Sequence, residues 1–154
     1  MPQINPAGEA VQTLRVEKDL FIAATPEIVW ESILEEVGQA MRPQPGQPPM
    51  AMKLEAWPGG RWFRDLGDNA GHLWGHVQVI KPPLLLEISG PLFMSYPAAN
   101  HLQYRLAAER DGTRFKFVHR GLGIFDAEQV KGVDMGWGEI AENIRKAAEQ
   151  RARR

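Results

Sequence analysis

Phe115, Phe117 and His119 share parity on the stretch Thr113–Gly121, which reads as the last strand of the chain. One imidazole is therefore carried to the same side as two aromatic rings. A histidine in such a place is either a core group satisfied by a neighbouring polar atom, or a ligand hydrogen-bonder and general acid/base. Both readings stay open at this point. Tyr104, flanked by Leu102 and Leu106, reaches the same interior from the preceding strand, and its hydroxyl needs a partner, either His119 or a ligand. Trp57, Trp62, Trp74 and Trp137 are four of the five tryptophans, and each suits a pocket wall as well as a plain core. Trp137 is the best placed of them, because it sits on a helical stripe with Val133 and Ile140. Trp62 and Phe63 alternate faces, and parity does not decide between them. Arg64 joins His119 and Tyr104 as the third group that catalysis in such an interior would use.

Other chemistries find little support. His72 and His76 lie on one strand face, but four strand residues span about 13 Å, whereas two ligands of one ion lie within about 4 Å of each other. They read as surface residues, and no metal site is expected. The serines, Ser32, Ser89 and Ser95, sit in no nucleophile elbow. Pro58-Gly59-Gly60 lacks the glycine spacing of a phosphate loop. Asp65 to Asn69 starts like a calcium loop, yet the closing position twelve residues along is His76 rather than an acid. Glu27 with Glu31, and Glu139 with Glu142, read as solvated helix faces. The chain has no cysteine, which removes disulfides, thiolate catalysis and zinc–sulfur sites. No cofactor is implied.

The elements that must position these residues follow from periodicity. Residues 1–12 read as a flexible arm and residues 13–152 as one domain. Thr13–Ala23 alternates as a first strand, with a phase shift near Asp19 that suggests a bulge. Thr25-Pro26-Glu27 starts a short helix, which ends near Gly38. Residues 42–49, RPQPGQPP, form a loop. Strand-like runs follow at Met50–Trp57, Arg61–Leu66, His72–Ile80, Leu84–Ser89, Asn100–Glu109 and Thr113–Gly121, with a hairpin turn at Asp111-Gly112. Short connections imply an antiparallel meander.

From Asp126 onward, Val130, Val133, Trp137, Ile140, Ile144 and Ala147 or Ala148 form one helical stripe, and Asp126 with Gln129 makes a weakened capping box. Gly132, Gly136 and Gly138 crowd the first half of that helix, each costing about 1 kcal/mol relative to Ala. They either let the backbone approach the sheet and make room for Trp137, or leave this half loose enough to gate a cavity. The fold expected is α+β, a curved antiparallel sheet of six to seven strands wrapped on a long C-terminal helix, with one or two small helices after the first strand.

At 154 residues, with 44% hydrophobic and 24% charged residues, the composition is that of an ordinary globular protein. A net charge of −1 provides no general attraction to nucleic acid or to an anionic membrane. No stretch approaches a membrane span or a secretion signal, so a cytoplasmic location is expected.

The order of elements, with WPGGRWF, GHVQVIKPPLLLEISGPL, DGTRFKFVHRGLG and GWGEIAENI in sequence, resembles the START-like (SRPBCC, Bet v 1-like) helix-grip superfamily. It is most similar to the branch of small bacterial domains akin to the C-terminal part of the co-chaperone that activates the heat-shock protein 90 ATPase. The resemblance spans roughly residues 14–150. It implies a cavity between sheet and helix that in many relatives holds an apolar molecule, and relatives often carry a histidine at the position of His119. The chain departs from the pattern in its Pro-rich 42–49 loop, where relatives often place a second small helix.

The expectation is therefore a binder of a hydrophobic or amphipathic small molecule, with a cavity lined by Trp57, Trp62, Arg64, Trp74, Tyr104, Phe117, His119, Val133, Trp137 and Ile140. The alternatives are a chaperone-ATPase regulator acting through its surface, or an enzyme of cyclase, dehydratase or hydrolase type. A homodimer is left open.

Overall fold

A computed structural model describes residues 8–93 and 97–154 of the chain. Of the expected arm, residues 1–7 lie outside the described residues, as do residues 94–96 of the expected Gly90–Ala98 loop, Ser95 among them. Seven strands form one antiparallel sheet: β1 (Gln12–Ile22), β2 (Lys53–Leu54), β3 (Arg61–Gly67), β4 (Ala70–Lys81), β5 (Leu85–Gly90), β6 (Ala98–Glu109) and β7 (Gly112–Gly123). Their spatial order is β1-β7-β6-β5-β4-β3-β2. Helix α1 (Pro26–Glu36) follows β1, and α2 (Ala127–Ala152) closes the chain on the inner face of the sheet.

Local chemistry accounts for both helices. Thr25 caps α1, its hydroxyl accepting from the Ile28 amide, and Pro26 occupies the first turn. At α2 the capping box is complete. The Asp126 carboxylate accepts from the Gln129 amide at 2.9 Å, and the Gln129 side-chain oxygen accepts from the Asp126 amide at 2.8 Å. The buried stripe of α2 is Val133, Trp137, Ile140, Ala141, Ile144 and Ala148. It lies against Leu102, Tyr104, Leu106, Phe115 and Phe117 of the sheet's inner face, all buried in one core. The C-terminal half of α2 is tied down at several points. Glu149 accepts from the Ala23 amide at 2.9 Å, and Arg151 donates to the Ser32 hydroxyl at 2.8 Å and pairs with Glu35.

The sheet departs from the sequence expectation in three places. β1 has no bulge: its register with β7 runs unbroken from Gln12 to Ile22. The apparent phase shift arises because Lys18 occupies an inward position, where its ammonium meets Asp134 of α2 at 3.0 Å. The expected strand Met50–Trp57 shrinks to Lys53–Leu54. The amides of Met50 and Met52 are spent on the carbonyls of Met41 and Gly38, and Glu55 folds back to accept from the Nε and Nη2 of Arg61. The third departure is a bulge on β4. Trp62 pairs with Gly75 and Phe63 with Leu73, so Trp74 faces no residue of β3 and is turned into the interior.

Candidate functional site

Two arrangements occupy the space between the sheet and α2. The first is a buried hydrogen-bond chain that ends on His119. The indole N–H of Trp137 donates to His119 Nδ1 at 2.9 Å. An indole nitrogen can only donate, so Nδ1 carries no proton and Nε2–H donates to Asn100 Oδ1, 2.7 Å away. The amide of Asn100 is oriented in turn, its Nδ2 donating to the carbonyls of Gly90 and Pro91 at 3.3 Å each. Asn100 stands opposite Gly121 and diagonal to His119 across the β6–β7 ladder. A Cβ on Gly121 would come within 2.4 Å of Asn100 Oδ1, so the side chain reaches His119 only because that position is glycine. His119 is fully buried, and desolvation lowers its pKa from 6.5 to about 4. The ring is therefore neutral at ordinary pH, with both nitrogens spent inside the protein.

The second arrangement is a cavity of about 620 Å³ beneath the first half of α2. Val133, Met135, Gly136, Trp137 and Ile140 of the helix form one side. Trp74 and Phe93 stand opposite, and Met41, Pro43, Pro45 and Met50 complete the wall. The Pro-rich loop is thus a built part of the site. It is closed at its base by the Met50 amide on the Met41 carbonyl at 2.7 Å, and held to α2 by Asn143, which donates to the Arg42 carbonyl at 3.1 Å. Gln44, Gln129 and Glu139 are the polar members of the lining. An aromatic ladder connects cavity and core: Trp62 to Trp74 at 5.0 Å, Trp74 to Phe93 at 5.5 Å, and Phe117 to Trp137 at 4.6 Å between centroids.

The family model described as "Activator of Hsp90 ATPase homolog 1-like protein" matches residues 23–149. The chain belongs to that family. Among curated proteins, none matches it. Solved structures share the fold of this activator-homolog-like chain at low identity. An uncharacterised protein of Rhizobium leguminosarum is 17% identical, with a TM-score of 0.67 over 94% of this chain and 99% of that one. CalU16 of Micromonospora echinospora is 18% identical, with a TM-score of 0.60 over 91% and 87%. BH1534 of Bacillus halodurans is 20% identical, with a TM-score of 0.64 over 88% and 97%.

Of the residues the sequence singled out, Trp74, Val133, Trp137 and Ile140 line the cavity of this family member. Trp57 does not: it sits in the turn before β3 and is 57% exposed. Trp62 is fully buried, but behind the wall, where its N–H donates to the Val37 carbonyl at 2.8 Å. Phe63, its neighbour in sequence, faces outward beneath the Arg61 guanidinium, 4.6 Å from its ring centroid. Arg64 is half-buried on β3 opposite His72 and does not line the cavity.

Phe117, His119 and Tyr104 lie in the packed core beyond Trp137 rather than on the cavity surface. His119 is not the partner of Tyr104, since Asn100 and Trp137 take both its nitrogens. The Tyr104 hydroxyl is buried with no partner among the described residues, and burial pushes its pKa well above the ordinary phenol range. The indole N–H of Trp74 is likewise buried and without a partner among the described residues. Sequence reasoning missed Met41, Pro43, Pro45, Met50, Phe93 and Glu139. The methionines flanking a proline run were the available signal. Among the described residues, no helix is long and apolar enough to cross a membrane, and no three His, Asp or Glu side chains gather as metal ligands.

Proposed function

We propose that this chain binds a hydrophobic or amphipathic small molecule in the cavity beneath the first half of α2. The observation that carries this reading is an apolar cleft of about 620 Å³ between α2 and the Pro-rich loop, walled by Trp74, Phe93, Val133, Trp137 and Ile140 and reaching the surface at Gln44 and Met135, both exposed. That volume falls in the range of sites that enclose small organic ligands, roughly 300–1,000 Å³. Binding is favoured over catalysis because neither His119, Tyr104 nor Arg64 belongs to the cavity lining, and His119 has no nitrogen left to move a substrate proton. Native mass spectrometry of the chain purified from its source tests the reading. A mass increment extractable into organic solvent is expected. A bare chain that also takes up no 1-aminoanthracene, a neutral aromatic probe, would count against it.

The family description supports a second reading, regulation of a chaperone ATPase through the protein surface. Leu66 and Leu73, 54% and 46% exposed on the β3–β4 hairpin, supply apolar surface for a partner. Stimulation of a purified heat-shock ATPase, lost in a Leu66→Ser, Leu73→Ser double variant, would support it. No stimulation would leave ligand binding as the sole reading.

A further inference from the structure

The wall of the cavity narrows the class of ligand, given the binding reading above. Its deeper part offers no polar handle. The Trp137 N–H is spent on His119 and the Trp74 N–H is buried beneath the surface, so both indoles present carbon to the cavity. The polar side chains of the lining are Gln44, Gln129 and Glu139, and all three are at least part-exposed. Two contacts fix where Glu139 stands. Asn143, one turn further along α2, donates to the Arg42 carbonyl at 3.1 Å, and a Cβ on Gly136, one turn back, would lie 3.7 Å from the Pro43 Cβ. Glu139 lies between them, on the helix row that meets the Pro-rich loop. It therefore stands at the mouth of the cavity, beside the exposed Met135.

The charge of this mouth is one-sided. Among the described residues no Lys, Arg or His lines the cavity, and Glu139 is the one ionisable lining residue. The other acids of α2 from Asp134 onward are paired, Asp134 with Lys18 and both Glu142 and Glu149 with Arg145. Glu139 has no such partner among the described residues, and its neighbours one turn away on the helix are Met135, Gly136, Glu142 and Asn143, none of them a cation. Lys131 is exposed and outside the lining. Arg42 is exposed as well, its charge acts on Glu36 of α1, and neither of those two lines the cavity. A carboxylate entering here would lose hydration, find no cation and approach an acid, whereas an ammonium would find a counter-ion still in touch with water. We infer that the cavity takes hydrophobic molecules bearing a cationic amine, with the apolar body beneath α2 and the ammonium paired to Glu139 at the mouth. Free fatty acids and other anionic amphiphiles are disfavoured by the same wall.

The test compares three probes of nearly equal shape: 9-(aminomethyl)anthracene, 9-ethylanthracene and anthracene-9-carboxylate. Affinities are measured by fluorescence titration of the full chain at neutral pH and low salt. The amine should bind about fivefold more tightly than the hydrocarbon, the yield of one part-exposed ion pair, and the carboxylate more weakly than either. Glu139→Gln should erase the ratio of amine to hydrocarbon. Glu142→Gln, which removes an acid of the same helix that lies outside the lining, should keep it. Raising sodium chloride to about 0.5 M should narrow the ratio in the unmodified chain, a readout that needs no variant to fold. Equal affinity for amine and hydrocarbon, or a ratio that survives both Glu139→Gln and salt, overturns this inference and leaves the cavity reading standing. Binding of the carboxylate as tight as that of the amine also overturns it. If none of the three binds saturably, the cavity reading itself fails and takes this inference with it.

Discussion

The Trp137 indole donates to His119 Nδ1 across 2.9 Å, and this one hydrogen bond joins the terminal helix to the last strand in the middle of the core. It fixes the imidazole as a neutral acceptor on that side, leaves Nε2–H for Asn100, and sets the wall between packed core and open cavity.

That arrangement makes stability depend on pH. Unfolded His119 takes up a proton near 6.5, whereas the buried ring does so only near about 4. Between those values the unfolded chain holds more protons, so stability falls as pH is lowered from about 6.5 toward 4, by roughly 3 kcal/mol in all. Above 6.5 the contribution is fully present. Urea unfolding across this range checks it, with His119→Leu as the control. If both proteins lose stability in parallel, the slope belongs to other groups.

Gly121→Ala would place a methyl group 2.4 Å from Asn100 Oδ1. The amide must then leave His119, and a buried Nε2–H loses its acceptor at a cost of about 1–3 kcal/mol. The expected readout is a lower denaturation midpoint and a changed Trp137 indole proton shift. An unshifted resonance would show that the chain of hydrogen bonds tolerates the methyl group.

Tyr104→Phe runs the other way. The hydroxyl is buried without a partner among the described residues, so its removal deletes an unsatisfied group while keeping the ring against Phe117, 4.8 Å between centroids. Stability should be unchanged or higher by up to about 2 kcal/mol. A clear loss would mean that the hydroxyl is hydrogen-bonded in solution.

Much of this interior was legible in the residues. The parity that groups Phe115, Phe117 and His119 survives because β7 pairs with β1 and β6 without a shift of register. The stripe on α2 survives because a capped helix keeps its period. Trp74 is placed in the cavity by residue type and not by strand parity, because a bulge breaks the alternation on which parity depends. Lys18 misled because its inward position is balanced by Asp134, more than a hundred residues away in the chain. The cavity wall at Pro43 and Pro45 was hidden for a simpler reason: loop residues have no periodicity to read. Trp57 looked internal by residue type, and the turn at Pro58-Gly59-Gly60 leaves it in solvent.

The glycines of α2 bear on how a ligand would enter. A Cβ at Gly132 would meet nothing within 4 Å, at Gly136 only Pro43 at 3.7 Å, and at Gly138 only the tip of Lys18 at 3.6 Å. Close approach to the sheet therefore does not require them. Gly136→Ala with Gly138→Ala should stabilise the chain by up to about 1 kcal/mol per site and slow release of a bound probe. Hydrogen exchange in the ligand-free protein checks the gate directly. Residues 130–138 should exchange faster than 140–148, and equal rates would remove it.

The central claim, that the space beneath α2 is a ligand site, is tested most directly by titrating 1-aminoanthracene against the unmodified chain and Gly136→Leu. The leucine side chain would project toward Pro43, between helix and loop, and occupy the cavity. Saturable one-to-one binding with quenching of tryptophan emission is expected for the unmodified chain, weakened at least tenfold in a folded Gly136→Leu variant. Absence of saturable binding, or equal binding by both proteins, would contradict the account.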